Sequence, residues 1–375
     1  MGQVVGWGVL YYSPLVAISA ISQQEGWNLR TLTALLSIGL LVAAVAGIYV
    51  GRLLDRLSPR RVLVAGASMG VVGMVMFASA TSTASLAISL VVVGLGQSAV
   101  LYQAAFTVAT HRYRQSLDFS LTVITIAGGL SSAVFAPIVV GMLTELGWRA
   151  TFGLLAGVMA MLIPIYFHWL PRDAPGGQSD PLESDLSEQH SVAVTMRTGR
   201  FLRLGVILVV TTVAIFSVTF LAIPLFEEKG LNFEQAAWLF AAIGFGQVFG
   251  RLGLLFFRLD RAPRLLLAFV ALGSGAGIAG FVVVGDYLPV LMIVALLVGG
   301  LRGAHTLVQA TAISVRWGRQ HFGTLNGVLS APLSVALALA PAIGGQIAHV
   351  MSSYNSMALV MAAVLILVAP LARYT

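Results

Sequence analysis

Long apolar segments, most of them about 20 residues or more, follow one another along nearly the whole chain. A helix of that length crosses a hydrocarbon core of roughly 30 Å, and only helices or closed barrels can satisfy their backbone groups there. The segments do not alternate apolar and polar residues as barrel strands do. The sequence therefore predicts an all-α integral membrane protein with twelve transmembrane helices, at approximately 3–23, 32–54, 62–80, 86–108, 119–143, 150–170, 203–225, 234–257, 264–284, 288–314, 322–348 and 354–372.

The composition agrees with this reading and excludes several functions. Hydrophobic residues make up 58% of the chain and charged residues 9%, whereas a soluble domain carries roughly 25% charged residues. Cysteine is absent, which excludes disulfides, thiol catalysis and cysteine-ligated metal sites. No cleavable signal and no cofactor are expected.

The chain repeats itself at a constant offset of 204 residues. Glu25-Gly26-Trp27-Asn28 corresponds to Lys229-Gly230-Leu231-Asn232, and Ala136-Pro137 corresponds to Ala340-Pro341. The only long polar stretch, at 171–200, separates six spans from six and is too polar to bury a core. We therefore expect two pseudo-symmetric six-helix bundles, at 1–170 and 201–375, with a cytoplasmic linker at 171–200 and a site at the interface between the bundles.

The charges mark membrane topology rather than a nucleic-acid surface, although the formal net charge is +7. Arg30, Arg149 and Lys229 fall in loops of one side, Arg302 lies inside a span, and the other seventeen Lys and Arg residues lie on or flank the second side. The positive-inside rule makes the arginine-rich side cytoplasmic and places both termini there. Arginine outnumbers lysine twenty to one, which indicates a GC-rich bacterial genome and a bacterial inner membrane.

A charged loop follows the second span and reads Gly51-Arg52-Leu53-Leu54-Asp55-Arg56-Leu57-Ser58-Pro59-Arg60-Arg61. It resembles the G-x-x-x-D-[RK]-x-G-x-R-[RK] loop of the major facilitator superfamily, a large family of twelve-helix secondary transporters, with Ser58 in place of the second glycine. A degraded copy follows the eighth span. The resemblance implies a conformational latch that holds the outward-open state, formed by Gly51, Asp55, Arg56, Arg60, Asp260 and Arg261. An acid at a helix end suits this role because it accepts hydrogen bonds from a neighbouring helix or an arginine.

One face of the tenth span is polar near its centre. Arg302, His305 and Gln309 lie at i, i+3 and i+7, so their side chains share a face. An arginine at the centre of a membrane helix costs at least roughly 2.5 kcal/mol unless it faces water or a partner. The resemblance implies that spans 1, 4, 7 and 10 line a central cavity. We therefore expect these three residues to bind substrate, although a purely structural pairing of Arg302 with a neighbouring helix remains open.

Further candidates lie in the eighth, fourth and first spans. Gln247 and Arg251 are one turn apart, and Gly250-Arg251 and Gly147-Trp148-Arg149 resemble sequences of the monocarboxylate and oxalate–formate transporters. That resemblance implies that Arg251 assists in binding a carboxylate, while a topological role remains the alternative. Neutral donors that could line the same cavity are Gln97, Ser98, Tyr102, Gln103, Tyr11 and Tyr12.

All fourteen Asp and Glu residues lie in loops or at helix ends. A cavity with arginines and no acid favours an anion, since a guanidinium binds a carboxylate through two charge-assisted hydrogen bonds. If protons are coupled, His305 is the central side chain whose ordinary pKa of about 6.5 suits the role.

We therefore expect a non-enzymatic secondary transporter of a small organic anion that works by alternating access. Its partners are the bilayer, a small-molecule substrate and protons as candidate coupling ions, with no nucleic acid, and a monomer is expected. The alternative is an exporter of hydrophobic or drug-like compounds. A membrane enzyme or sensor has little support, because no nucleotide loop, defensible catalytic triad or metal-ligand cluster is visible.

Overall fold

The computed structural model describes residues 1–112, 117–170, 195–257, 263–317 and 322–375. Helices account for nearly all of these residues, and no strand occurs among them. In chain order the helices are α1 (Gly2–Glu25), α2 (Leu29–Arg56), α3 (Pro59–Ala78), α4 (Thr83–Val100 and Tyr102–Arg112), α5 (117–146), α6 (148–169), α7 (Gly199–Phe220, followed by a short helix Ala222–Glu228), α8 (Phe233–Phe257), α9 (Pro263–Val283), α10 (Leu288–Trp317), α11 (Phe322–Val350) and α12 (Tyr354–Val368).

Twelve helices in the described part of the chain are suited to cross a membrane. Ten stretches qualify by length and hydropathy, and one of them, Val123–Trp169, contains two helices. Gly147 divides it, because its φ of 74° is a left-handed conformation that interrupts a helix. The 25-residue helix α8 completes the set. The predicted all-α membrane fold is therefore confirmed.

Both chain ends lie on one face of the bundle, because the number of crossings is even. We call this the terminal face, and the face that carries the loops after α1, α3, α5, α7, α9 and α11 the opposite face. Gly26 and Gly230, which are 204 residues apart, both turn the chain there with positive φ values of 70° and 89°. Asn28 and Asn232 follow these turns. The side-chain oxygen of each accepts a hydrogen bond from a backbone N–H in the first turn of the next helix. The sequence repeat is thus a repeat of turns and helix caps.

The pattern of helix contacts follows the same repeat. In the first half α2 packs against α4, and in the second half α8 packs against α10. Between the halves α2 packs against α11 and α5 against α8, which are equivalent pairs when the halves are exchanged. The two halves therefore meet along two related seams.

Two irregularities lie close to the centre. In α1 the segment Trp7–Tyr12 is π-helical, a form that is found mostly as single turns and often at functional sites. In α4 the predicted span 86–108 is interrupted at Leu101, whose backbone is extended with φ −80° and ψ −162°. Both irregularities place side chains at angles that a continuous α-helix does not offer.

Candidate functional site

Arg302 lies at the middle of α10 and is 2% exposed. Its Nη2 donates to the hydroxyl of Tyr12, on α1 of the other half, at 3.5 Å. The guanidinium carbon lies 4.7 Å from the ring centroid of Phe216 on α7, within the range of a cation–π contact. Its Nε has no hydrogen-bond partner among the described residues. The predicted intramembrane arginine is thus a buried cation with unused donors.

The other two residues of the predicted polar face of α10 contact α7. His305 is fully buried, and its Nε2 lies 2.9 Å from the hydroxyl of Thr211. Gln309 donates from Nε2 to the hydroxyl of Thr212 at 2.6 Å. The Nδ1 of His305 is without a partner among the residues that the structure describes. The face therefore carries a second unused polar atom one turn from Arg302.

Arg251 and Gln247 contact the other half of the molecule. Arg251 donates from Nε and Nη2 to the hydroxyl of Thr306 on α10, at 3.2 and 3.1 Å, and from Nη1 to the carbonyl of Thr125 on α5. Gln247 donates to the carbonyl of Gly129 on α5 at 3.4 Å. Both side chains are almost completely buried. All three nitrogens of the Arg251 guanidinium thus bond to protein, and one of these bonds joins the halves.

The predicted donors of the first half are also bonded to protein. Gln97 donates to the carbonyl of Leu10, inside the π-helical segment, at 2.7 Å, and its Oε1 has no partner among the described residues. Tyr102 donates to the carbonyl of Thr125 at 3.0 Å, so this carbonyl is shared with Arg251. Ser98 bonds within its own helix. The side chain of Gln103 lies outside the described residues.

Aromatic rings surround the central arginine, and most of them do not stand out in the sequence. Tyr11 lies 5.6 Å from Phe220, and Tyr12 lies 6.2 Å from Phe240, measured between ring centroids. Trp7 and Tyr102 approach to 4.4 Å. Phe216, Phe220 and Phe240 were not predicted as site residues, because a phenylalanine within an apolar run gives no signal of its own.

The predicted latch is described only in part. Arg60 donates from Nε and Nη2 to the carbonyl of Leu170, at 3.0 and 2.8 Å, and lies over the ring of Phe167. It therefore joins α3 to the end of α6, within the first half. At Gly51, no atom of the described residues lies within 4 Å of where a Cβ would be. The side chains of Asp55 and Arg56, and residues Asp260 and Arg261, lie outside the described residues.

A cavity of about 630 Å³ opens on the opposite face between the two halves. Its charged and titratable lining includes Arg30, Glu227, Glu228, His349 and Tyr354. No group of three or more His, Asp or Glu side chains in the described ranges is placed to hold a metal ion. The sequence alone did not indicate this cavity, because its lining comes from three separate stretches of the chain, at 19–30, 224–228 and 345–354.

Comparison with known proteins identifies the fold. The chain is similar to an MFS-type transporter of Gibberella moniliformis, with 25% identity over 348 residues that make up 90% of this chain and 80% of the relative. It is also similar to the solved structure of a bacterial homologue of the human lysosomal transporter Spinster in an inward-facing, unoccupied conformation. That match has 14% identity and a TM-score of 0.74 and covers 99% of this chain and 95% of the other.

A POT family transporter in complex with a thioalcohol-conjugated peptide is similar as well, with 12% identity and a TM-score of 0.75 over 98% of this chain and 93% of the other. At such low identity these two structures show the fold alone. The family model of the Major Facilitator Superfamily matches residues 4–305, which is most of the chain. Together with the twelve helices and their two related seams, this match shows that the chain belongs to the Major Facilitator Superfamily of membrane transporters.

Proposed function

We propose that this secondary transporter carries a small organic anion, of the monocarboxylate class, and that Arg302 is its central binding group. The proposal rests on the environment of the Arg302 guanidinium. It is buried at the centre of a membrane helix, its hydrogen bond to Tyr12 is long, and its Nε is unused by the described residues. A buried cation with unmet donors is costly, and a carboxylate satisfies it through two parallel bonds.

The surroundings of Arg302 support an anion rather than a cation. Among the described residues, the ion pair of the structure is Arg149 with Glu25 on the opposite face, whereas Arg302 lies at the middle of α10. His305 supplies a ring nitrogen that has no hydrogen-bond partner among the described residues, one turn away, and Tyr12 supplies a hydroxyl. Those groups can complete the coordination of a carboxylate as neutral hydrogen-bond partners. Gln247, Gln97 and Tyr102 would have to exchange protein bonds for substrate bonds to take part.

Alternating access accounts for the burial of this site. The two halves meet through α2–α11 and α5–α8, and the Arg302–Tyr12 contact also joins them. Separation of the halves on one face would open the centre to water on that side. We propose protons as coupling ions with His305 as the carrier within the membrane, and a monomer in a bacterial inner membrane with both termini cytoplasmic.

The test is uptake of radiolabelled lactate, pyruvate and oxalate into proteoliposomes, with and without a pH gradient. Loss of charge-assisted bonds worth about 1.5–3 kcal/mol each predicts that Arg302→Ala weakens apparent affinity roughly ten- to a hundredfold or more. Arg203→Ala, which removes an exposed arginine on α7, is the matched control and should transport normally. Equal anion uptake by wild type and Arg302→Ala would refute the role of Arg302.

The aromatic rings around the centre favour a second candidate, an exporter of hydrophobic or drug-like compounds. Aromatic side chains bind apolar and cationic molecules through their ring faces. The rings concerned are Trp7, Tyr11, Tyr12, Tyr102, Phe216, Phe220 and Phe240. Binding of tetraphenylphosphonium by the purified protein, together with no uptake of the three anions, would favour this candidate.

A further inference from the structure

The carboxyl group of Glu227 lies in a contact between the two halves. Glu227 is at the end of the short helix that follows α7, and it accepts hydrogen bonds from Ser19 and Gln23 of α1. Ser19 donates to Oε2, and Gln23 donates to Oε1 at 3.3 Å. Gln23 and Glu227 are 204 residues apart, so they are equivalent positions of the sequence repeat. The first helices of the two halves thus meet at one carboxyl group on the opposite face.

This carboxyl group is half-buried but can be reached by protons, because Glu227 lines the 630 Å³ cavity of the opposite face. Its partner Ser19 is 3% exposed. Among the residues that the structure describes, no cation forms an ion pair with Glu227. Its bonds to α1 therefore come from neutral groups, which favour the carboxylate but can still bond to a protonated carboxyl through its carbonyl oxygen.

Other charged and titratable groups face the same cavity from each neighbouring element. They are Arg30 of α2, Glu228 beside Glu227, His349 of α11 and Tyr354 of α12. Glu228 is bonded to the first residues of α12 and to Ser353, and Lys229 donates to the carbonyl of Val282. Glu25 of α1 is paired with Arg149. Burial outweighs the bonds from Ser19 and Gln23 and raises the pKa of Glu227 above its ordinary value of 4.5.

We propose that Glu227 is a proton-binding site that controls the opposite face, protonated while it joins α1 to the end of α7 and deprotonated when the halves separate there. The direction follows from linkage, since the conformation in which the carboxyl group is desolvated binds the proton more tightly. A low pH therefore favours contact between α1 and the end of α7, and a higher pH favours separation of the two halves on the opposite face. This inference rests on the transport function and goes beyond the anion site at Arg302.

The test measures the distance between the halves as a function of pH in the full chain without substrate. The absence of native cysteine allows two spin labels, on Gln24→Cys and Tyr287→Cys, which are exposed positions on the opposite face of the first and second halves. We expect the distance to lengthen as pH rises, with a midpoint above 4.5. In Glu227→Gln, which keeps a neutral side chain at every pH, the distance should stay short.

Two further variants keep the test decisive. Ser19→Ala removes a donor that favours the carboxylate, so the midpoint should move to higher pH. Glu234→Gln removes an exposed acid on the same face and should leave the midpoint unchanged. A pH-independent distance in the wild type, or an unchanged transition in Glu227→Gln, would overturn the proposal. Since no substrate is present, either result is independent of whether Arg302 binds anions.

Discussion

The two buried arginines of the second half use their donors differently. Arg251 bonds through all three nitrogens to protein, and its Nη1 reaches Thr125 in the other half. Arg302 makes a single long hydrogen bond and leaves Nε unused by the described residues. A group that is already satisfied gains little from a substrate carboxylate, whereas an unsatisfied one gains much. This contrast favours a gating role for Arg251 and a binding role for Arg302.

Replacement of each arginine by lysine separates these roles. Lysine keeps the charge but cannot reproduce a planar fork of bonds. Arg251→Lys cannot hold Thr306 and Thr125 together, so we expect transport to slow severalfold while the apparent affinity for the anion changes little. Arg302→Lys should weaken affinity itself, by roughly tenfold. Proteoliposome uptake over a range of anion concentrations gives both quantities, and a pure loss of affinity in Arg251→Lys would contradict the gating role.

At the scale of the helix, the packing of α8 against α10 positions this site. Backbones approach closely where glycine occurs, because an added Cβ would lie 1.9 Å from the Gly300 carbonyl at Gly250 and 2.2 Å from the Gln247 carbonyl at Gly303. Helices that approach so closely gain dispersion contacts along their backbones, which matter most in lipid. The same approach lets Arg251 reach Thr306 across the interface.

Gly250→Ala should force α8 and α10 apart, because the clashing atoms belong to the backbone of Gly300 and cannot rotate away. Overpacking of this kind costs typically about 1–3 kcal/mol. We expect a lower midpoint of thermal unfolding in detergent. The matched control is Gly253→Ala on the same helix, where a Cβ meets no described residue within 4 Å. Equal midpoints in the two variants would show that the close approach is unimportant for stability.

The helices and turns could be predicted from the sequence better than the side-chain contacts of the site. The number of helices follows from apolar length, and the repeat of Gly26 at Gly230 follows from the positive φ that both turns require. The partners of Arg251 and Glu227 lie 126 and 208 residues away in the chain. No local periodicity encodes such distances between halves, so the bond to Thr125 and the contact with Ser19 could not be foreseen.

For the whole molecule, the proposed alternating access requires the seams between the halves to break and re-form during transport. On the opposite face the seam between α2 and α11 includes a hydrogen bond from the backbone N–H of Ala342 to the hydroxyl of Ser37, at 2.9 Å. Ala342 follows Pro341, which interrupts the hydrogen bonding of α11. Closer to the loops, Thr33 packs against Gly345. These contacts must separate whenever the opposite face opens.

A disulfide between Thr33→Cys and Gly345→Cys should therefore stop transport. A Cβ at Gly345 would lie 3.3 Å from the Cβ of Thr33, which is close to the separation of about 3.5–4.5 Å in disulfides. The absence of native cysteine makes this pair the only thiols present. We expect mild oxidation to abolish uptake of the anion that the wild type transports and a reductant to restore it, while each single-cysteine variant is insensitive to oxidation. Continued uptake by a fully cross-linked protein would show that the α2–α11 seam stays closed throughout the cycle, and alternating access through the opposite face would then be wrong.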